Sequence, residues 1–256
     1  MVSLRILTLL AIAASAVAAG GVDVATSTEA ADDVVISTDR TSAFWSQAQP
    51  IFAEKDKNGR PLPGYRTEVR SRWTRRNLYF LFSCPYEKLF LKPNPATAAE
   101  THELWNWDVA EVFIGSDFKN IRRYKEFEIS PQGEWIDLDI DLTKPHHEEG
   151  WTWNSDFQVA ARIDEKSKIW YGVMKIPWTA LGELSPAPGK TFRVNFFRSQ
   201  GEPVSRKNIA WRPTMSDTFH VPERFGLLRL ARYAAGSSLT RGGSRASMKS
   251  RDKRSR

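Results

Sequence analysis

The sequence contains a single cysteine, Cys84, so it cannot form a disulfide within the chain. Cys84 ends the apolar run "NLYFLFSC", which predicts a buried and unreactive thiol. The sequence also lacks Gly-x-Ser-x-Gly, His-Glu-x-x-His and a phosphate-binding glycine loop. These absences argue against the usual nucleophilic, zinc-protease and nucleotide-binding classes. A large apolar core must stabilise such a fold in place of disulfides.

No apolar run approaches the roughly 20 residues that a membrane span requires. Near the N-terminus, one charge at Arg5 precedes the apolar run 7–14, and "AVA" at 16–18 is followed by small residues. This pattern predicts a secretory signal peptide at residues 1–19; a buried N-terminal helix is the alternative. The mature chain would then be extracellular or periplasmic. Residues 20–31 are predicted to be a linker.

Residues 234–256 are predicted to form a disordered basic tail. From Gly236 onward this segment has seven Lys/Arg, one Asp and no aromatic residue. Together with Arg5 it accounts for the whole formal net charge of +7. The domain itself is neutral, so we expect no specific nucleic-acid partner. We expect the tail to be a solvated end, with weak attachment to anionic polymers or membranes as the alternative.

The body of the chain, residues 32–233, has the alternation of β-strands. In "EWIDLDIDL", the residues Ile136, Leu138, Ile140 and Leu142 alternate with polar residues. The turn "SPQG" joins this strand to "RYKEFEI" in a hairpin, and "FQVAARID" pairs with "KIWYGVMKIPW". Pro177 suits the start of a short helix, but no long amphipathic helix is indicated. We therefore predict an all-β fold, a β-sandwich or jelly roll of roughly eight to ten mostly antiparallel strands.

Ten tryptophans all fall within the body of the chain. Trp45, Trp73 and Trp170 are expected in the core. The long loop 85–106 places Trp105 and Trp107 directly before the strand "DVAEVFIG". Long ordered loops are often functional, so this stretch is either core packing or an aromatic platform for a sugar.

Several acidic residues are candidates for chemistry or metal binding. A glycosidase needs two facing carboxylates, and the candidates are Asp108, Glu111, Glu126, Glu128, Asp137 and Asp139. Asp137, Asp139 and Asp141 are expected to form the solvent-facing side of an edge strand; a calcium site is the less favoured alternative. The stretch "HHEE" at 146–149 is expected to be a solvated loop, with a metal site as the alternative.

Three segments, "LWNWDVAEVFIGSD", "YKEFEISPQGEWIDL" and "VNFFRSQG…AWRPT…FHVPERFGLL", occur in this order. They resemble carbohydrate-binding module family 9 in its broad sense, within the DOMON-like superfamily, over most of residues 32–232. The resemblance implies a secreted, non-catalytic module that holds a mono-, oligo- or polysaccharide between aromatic residues and serves carbohydrate catabolism. Calcium accompanies some members, and the resemblance assigns no calcium ligands here.

The resemblance also implies roles for individual residues. Trp105 takes the place of one sandwiching aromatic residue, and Phe219, followed by His220, takes the place of the other. Glu111 matches an acid that contacts the sugar. This chain departs from the pattern at Glu128, where sugar-binding members have an arginine, and at Phe197, where they have an amide.

Two further ligand-site candidates come from the charges beside Glu111. Asp108 cannot be buried unpaired without a large cost, so it is expected to serve the site or its loop. Arg198 is the expected partner of Glu111.

Two other functions remain open at this point. Relatives in the same superfamily bind haem for electron transfer, which would require an axial pair such as His220 with Met174 or Met215, yet nothing in the sequence places these residues together. A glycoside hydrolase is suggested only by the proteins in which such modules occur.

Overall fold

The computed structural model of the protein describes residues 22–232, and this part of the chain is almost entirely β-structure. The predicted signal peptide and basic tail lie outside the described residues. The strands are β1 Val24–Glu29, β2 Pro50–Ala53, β3 Lys55–Asp56, β4 Thr67–Trp73, β5 Asn77–Pro85, β6 Val109–Gly115, β7 Arg123–Ile129, β8 Trp135–Asp141, β9 Gln158–Asp164, β10 Ile169–Pro177, β11 Thr191–Gln200, β12 Lys207–Ala210 and β13 Gly226–Ala231. The α-helix α1 is Ala43–Ser46, and the 3-10 helices are Leu104–Asn106, His147–Thr152, Trp178–Leu181, Pro203–Ser205 and Pro222–Arg224.

The strands form one continuous sheet with the order β8-β7-β6-β11-β13-β1-β4-β5-β10-β9. Strand β2 pairs with β4, and β12 joins β11 to β3. Pairing is antiparallel except where β1 runs parallel to both β13 and β4. The all-β, mostly antiparallel prediction is confirmed. The strand count of thirteen exceeds eight to ten because short strands such as β2, β3 and β12 carry too few residues to show a period.

The sheet folds over so that its two halves enclose the main core. Phe80 on β5 meets Phe196 on β11 with ring centroids 5.4 Å apart. Gly172 on β10 lies so close to β7 that an added Cβ would come within 3.0 Å of the Ile129 side chain. Trp73 and Trp170 are buried in this core as predicted, and Trp45 is buried in a smaller cluster beside it.

Cys84 is also in the main core, with no exposed surface. The predicted burial is therefore confirmed, and it raises the pKa of the thiol to about 12, which disfavours the reactive thiolate. The 3-10 helix Trp178–Leu181 follows Pro177, as the proline predicted. Among the described residues, no helix is long and apolar enough to span a membrane.

The predicted linker at 20–31 is wrong for most of its length, because Val24–Glu29 is a strand between β13 and β4. Its inward residues are small: Ala25 packs in the core, and Ser27 accepts a hydrogen bond from Ser71 at 2.8 Å. Small and hydroxylated residues give no hydrophobic alternation, so this strand is not visible in the sequence.

The acidic row on β8 also differs from the prediction. Asp139 is exposed, but Asp137 has no exposed surface and Asp141 is buried. Asp137 accepts a hydrogen bond from the backbone N–H of Ser155 at 2.9 Å. The segment after β8 therefore covers this face of the edge strand, and only part of the row meets solvent.

Candidate functional site

The outer face of β6, β7 and β11 carries a cavity of about 590 Å³. Alternation along β7 directs Phe127 and Ile129 into the main core, and it directs Tyr124, Glu126 and Glu128 to the outer face. A second apolar cluster supports this outer face. Its buried members include Phe113, Ile136, Leu138, Ile140 and Phe197. The cavity therefore has a rigid floor of paired strands, with loops forming its walls.

One wall is the 3-10 helix Leu104–Asn106, which presents Trp105 to the cavity. Leu104 anchors the turn because it is fully buried. Trp107 faces elsewhere and stacks on Phe90, with centroids 4.7 Å apart and planes at 21°. The two tryptophans thus have different surroundings, with Trp105 at the cavity and Trp107 holding the loop.

The loop between β12 and β13 contributes Phe219 and His220 to the same cavity. The ring of Phe219 stacks on Phe197. The Nδ1 atom of His220 lies 2.7 Å from the hydroxyl of Tyr124. Burial lowers the pKa of His220 to about 3, so its ring is neutral near pH 7. His147 packs against His220 with ring centroids 4.5 Å apart and contributes to the wall.

Three glutamates lie together at the cavity floor. Glu111 and Glu126 line the cavity, and Glu128 lies beside them with no exposed surface. Burial raises the pKa of Glu126 to about 7 and those of Glu111 and Glu128 well above the ordinary range. Repulsion among neighbouring carboxylates adds to the shift of Glu111 and Glu128. The cluster therefore holds protons more tightly than isolated glutamates do.

Asp108 does not line the cavity; it anchors the loops beside it. Its carboxylate accepts hydrogen bonds from the backbone N–H groups of Phe90 at 2.9 Å and Gly201 at 2.6 Å. The side-chain amide of Gln200 donates a third at 2.7 Å. Of the two expected roles, the site or its loop, Asp108 therefore has the second. It joins the long loop 85–106 to the end of β11.

The expected pairing of Glu111 with Arg198 is wrong. Glu111 is the cross-strand partner of Phe197, so the next residue, Arg198, points to the other face of the sheet. There the Arg198 guanidinium is fully buried and donates to the hydroxyl of Thr67 at 3.2 Å and the carbonyl of Pro85 at 2.7 Å. It cannot reach a ligand in the cavity.

Other residues of the site were not identified as ligand contacts from the sequence. The sequence marks Glu126 only as a candidate catalytic carboxylate, although the alternation of Tyr124, Glu126 and Glu128 predicts that they share one face of β7. Arg206 lines the cavity and donates to the carbonyls of Asn106, at 3.1 Å, and Trp107. No local pattern marks Arg206, because it comes from an irregular segment far along the chain.

The structure does not bring together the residues that haem ligation would require. Met174 is buried in the main core, whereas His220 lies at the cavity on the outer face of the sheet. Met215 is 56% exposed. The described part of the chain therefore does not pair His220 with Met174.

Residues 38–232 match the family described as "Carbohydrate family 9 binding domain-like". An "Extracellular protein" of Arthroderma benhamiae is 24% identical over 182 residues, which cover 65% of this chain and 78% of that protein.

Two solved structures share the fold. A carbohydrate binding module family 9 from Caldicellulosiruptor kristjanssonii, in complex with cellotriose, aligns with a TM-score of 0.60 at 12% identity, covering 84% of this chain and 97% of that one. A second structure of such a module from the same organism, in complex with glucose, aligns with a TM-score of 0.58 at 12% identity, covering 83% and 99%.

Proposed function

Because the chain belongs to the carbohydrate family 9 binding domain-like family, we propose that it binds a carbohydrate in the cavity lined by Trp105 and Phe219, without cleaving it. The observation that carries this proposal is the meeting of these two aromatic side chains, 114 residues apart in the sequence, at one cavity with polar groups on its floor. The modules crystallised with cellotriose and glucose support the choice of ligand class.

The chemistry of the lining suits a pyranose ring. The face of an indole or phenyl ring packs against the apolar C–H face of a sugar, and polar groups at the rim satisfy the hydroxyls. Here Trp105 and Phe219 offer the aromatic surface, while Glu111, Asn208 and Arg206 offer acceptors and donors. The cavity of about 590 Å³ falls within the usual range for small-molecule sites, which fits the end of a chain or a mono- or disaccharide.

We further propose that the protein acts outside the cytoplasm and serves carbohydrate catabolism. The similarity to an extracellular protein supports the first part. The predicted signal peptide at residues 1–19 supports it from the sequence.

A glycan array probed with the full chain, followed by calorimetric titration of the best ligand, tests the proposal. We expect saturable binding of at least one sugar that is weakened at least about tenfold by Trp105→Ala, the effect expected for loss of one stacking ring. Trp135→Ala is the matched control because Trp135 is also half-buried but lies on the opposite face of the same sheet. Absence of binding to every sugar, or equal loss in both variants, would contradict the proposal.

Glycoside hydrolysis is the second candidate, because Glu111 and Glu126 place two buried carboxyl groups with raised pKa values at the cavity. Hydrolysis requires the two groups to flank the scissile bond. These two instead lie on the same face of neighbouring strands. Release of chromophore from a panel of aryl glycosides, abolished by Glu111→Gln, would establish this activity.

A further inference from the structure

The pairing of β6 with β7 concentrates three carboxyl groups at one point of the cavity floor. Glu111 and Glu128 are direct cross-strand partners, and Glu126 lies two residues before Glu128 on the same face. One carboxylate oxygen from each of the three lies within 4.8 Å of the other two. Two of these groups reach the cavity, so the cluster is accessible to small solutes.

These carboxyl groups lack the partners that buried acids ordinarily have. Glu128 has no exposed surface, and its oxygens have no partner within the described chain other than the carboxyl group of Glu126. One oxygen of Glu126 is also buried without a partner. Glu111 has a single weak contact, from the hydroxyl of Ser199 at 3.4 Å. Ionised carboxylates in this buried position would destabilise the fold strongly without compensation, so the cluster must take up protons or a cation.

The cationic side chains around the cluster do not satisfy them. The two terminal nitrogens of Arg206 donate to backbone carbonyls, and its Nε is buried without an acceptor. The Nε2 atom of His220 lies 4.0 Å from Glu126, beyond hydrogen-bond distance, and its Nδ1 atom is paired with the hydroxyl of Tyr124. Apart from that contact, none of the three glutamates forms an ion pair within the described residues.

We propose that Glu111, Glu126 and Glu128 bind a divalent cation of the calcium type at the cavity floor. Binding of the ion would displace protons from the cluster. Three ionised carboxylates beside the single positive charge of Arg206 then leave two negative charges, which one divalent cation neutralises. The all-oxygen donor set favours a hard cation over zinc, which prefers nitrogen and sulfur ligands. Water molecules, or hydroxyl groups of a sugar bound in the cavity, would complete the coordination of the ion from the open side.

The spacing of the oxygens fits a calcium ion. Oxygens bound to one calcium ion lie about 2.3–2.6 Å from it, so two of them can be up to about 5 Å apart. Magnesium is the smaller ion and requires near-octahedral geometry at about 2.0–2.1 Å, a stricter demand on three side chains fixed by paired strands. A cluster whose oxygens lie within 4.8 Å of one another can therefore hold the larger ion without rearrangement of the strands.

The test uses terbium(III), a luminescent ion with calcium-like ligand preferences, added to the chelator-treated full chain without sugar. Trp105 lines the same cavity, so indole excitation should sensitise emission from an ion bound there. We expect a saturable signal that calcium displaces. Glu128→Gln, which removes one charge and keeps the shape, should weaken terbium binding at least about tenfold, because affinity follows the charge of the ligands. Asp139→Asn, at an exposed carboxylate on the other face of β8, is the matched control.

Thermal unfolding supplies an independent readout, because an ion that binds only the folded state raises the melting temperature as its concentration rises. Calcium at millimolar concentration should stabilise the native protein and the Asp139→Asn variant, and it should not stabilise Glu128→Gln. Glu126→Gln replaces Glu128→Gln if the latter fails to fold. No calcium-dependent stabilisation of the native protein, or an equal shift in the glutamate variants, would overturn the proposal. Both measurements omit sugar, so their failure is distinguishable from a failure of carbohydrate binding.

Discussion

The ring of Phe219 lies parallel to that of Phe197, with centroids 4.1 Å apart and planes within 9°. Phe197 is fixed in β11 and only 1% exposed, so the position of the loop residue Phe219 is set by the sheet. Sugar-binding members are expected to have an amide at position 197 that contacts the sugar. In this chain Phe197 instead supports Phe219, the aromatic residue proposed to bind the sugar.

Phe219→Trp should tighten sugar binding, because an indole covers more of a pyranose ring while it can keep the stack on Phe197. Phe219→Leu should weaken binding, because it keeps apolar volume but loses the aromatic face. Calorimetric titration of both variants with the best ligand from the array measures the effect. Equal affinities of the tryptophan and leucine variants would show that position 219 does not stack on the sugar.

Trp105→Ala should reduce sugar affinity about tenfold or more while it changes the melting temperature little. The reason is that the ring is half-buried at the cavity wall and stacking on one ring is worth roughly 1–3 kcal/mol. Paired calorimetric and thermal measurements separate the two effects. If Trp105→Ala unfolds the protein, the tryptophan serves core packing instead.

Asp108→Ala should destabilise the fold by roughly 2–4 kcal/mol, because it leaves three hydrogen-bond donors without their charged acceptor in a buried position. Urea unfolding measures the change, with the exposed Asp139→Ala as the control. A loss of stability of less than about 0.5 kcal/mol, the range of ordinary surface substitutions, would show that Asp108 does not anchor the loops.

Glu100→Gln should flatten the dependence of stability on pH between about 4.5 and 7. Burial, with repulsion from Asp137 as the second cause, raises the pKa of Glu100 from its usual 4.5 to about 7. The stabilising contribution of a carboxyl with a raised pKa is complete below its usual pKa and is lost as the pH rises through the folded-state pKa. The variant should therefore be more stable than the native protein above pH 7, with no advantage near pH 4.

Melting temperatures across this pH range check the prediction, and the exposed Glu149→Gln supplies the control. Identical pH profiles for Glu100→Gln and the native protein would contradict it.

Strands with strong alternation were predictable from the sequence, and strands of small residues were not. The β7–β8 hairpin shows clear inward and outward sets, and its turn residues fix the register. By contrast, β1 contributes Ala25 and Ser27 to the interior. Its place between β13 and β4 depends on partners more than forty residues away, which no local pattern records.

The candidate site was predictable only in part, for a similar reason. The resemblance selected Trp105, Glu111, Phe219 and His220, and the structure brings all four to one cavity. Arg198 was assigned to the wrong face because the direction of its side chain depends on which residue of β11 lies opposite Glu111. Cross-strand register sets this pairing, so it could not be read from spacing along the chain.

The parallel pairing of β1 with β13 has a mechanical consequence. Val24 pairs with Leu227 and Thr28 with Ala231, so the chain enters β1 at one end of this pair and leaves β13 at the other. A pulling force between the two ends of the described domain therefore loads the hydrogen bonds of the pair in shear, so that they resist together. A module tethered at one end and pulled through the other would resist unravelling from its edge.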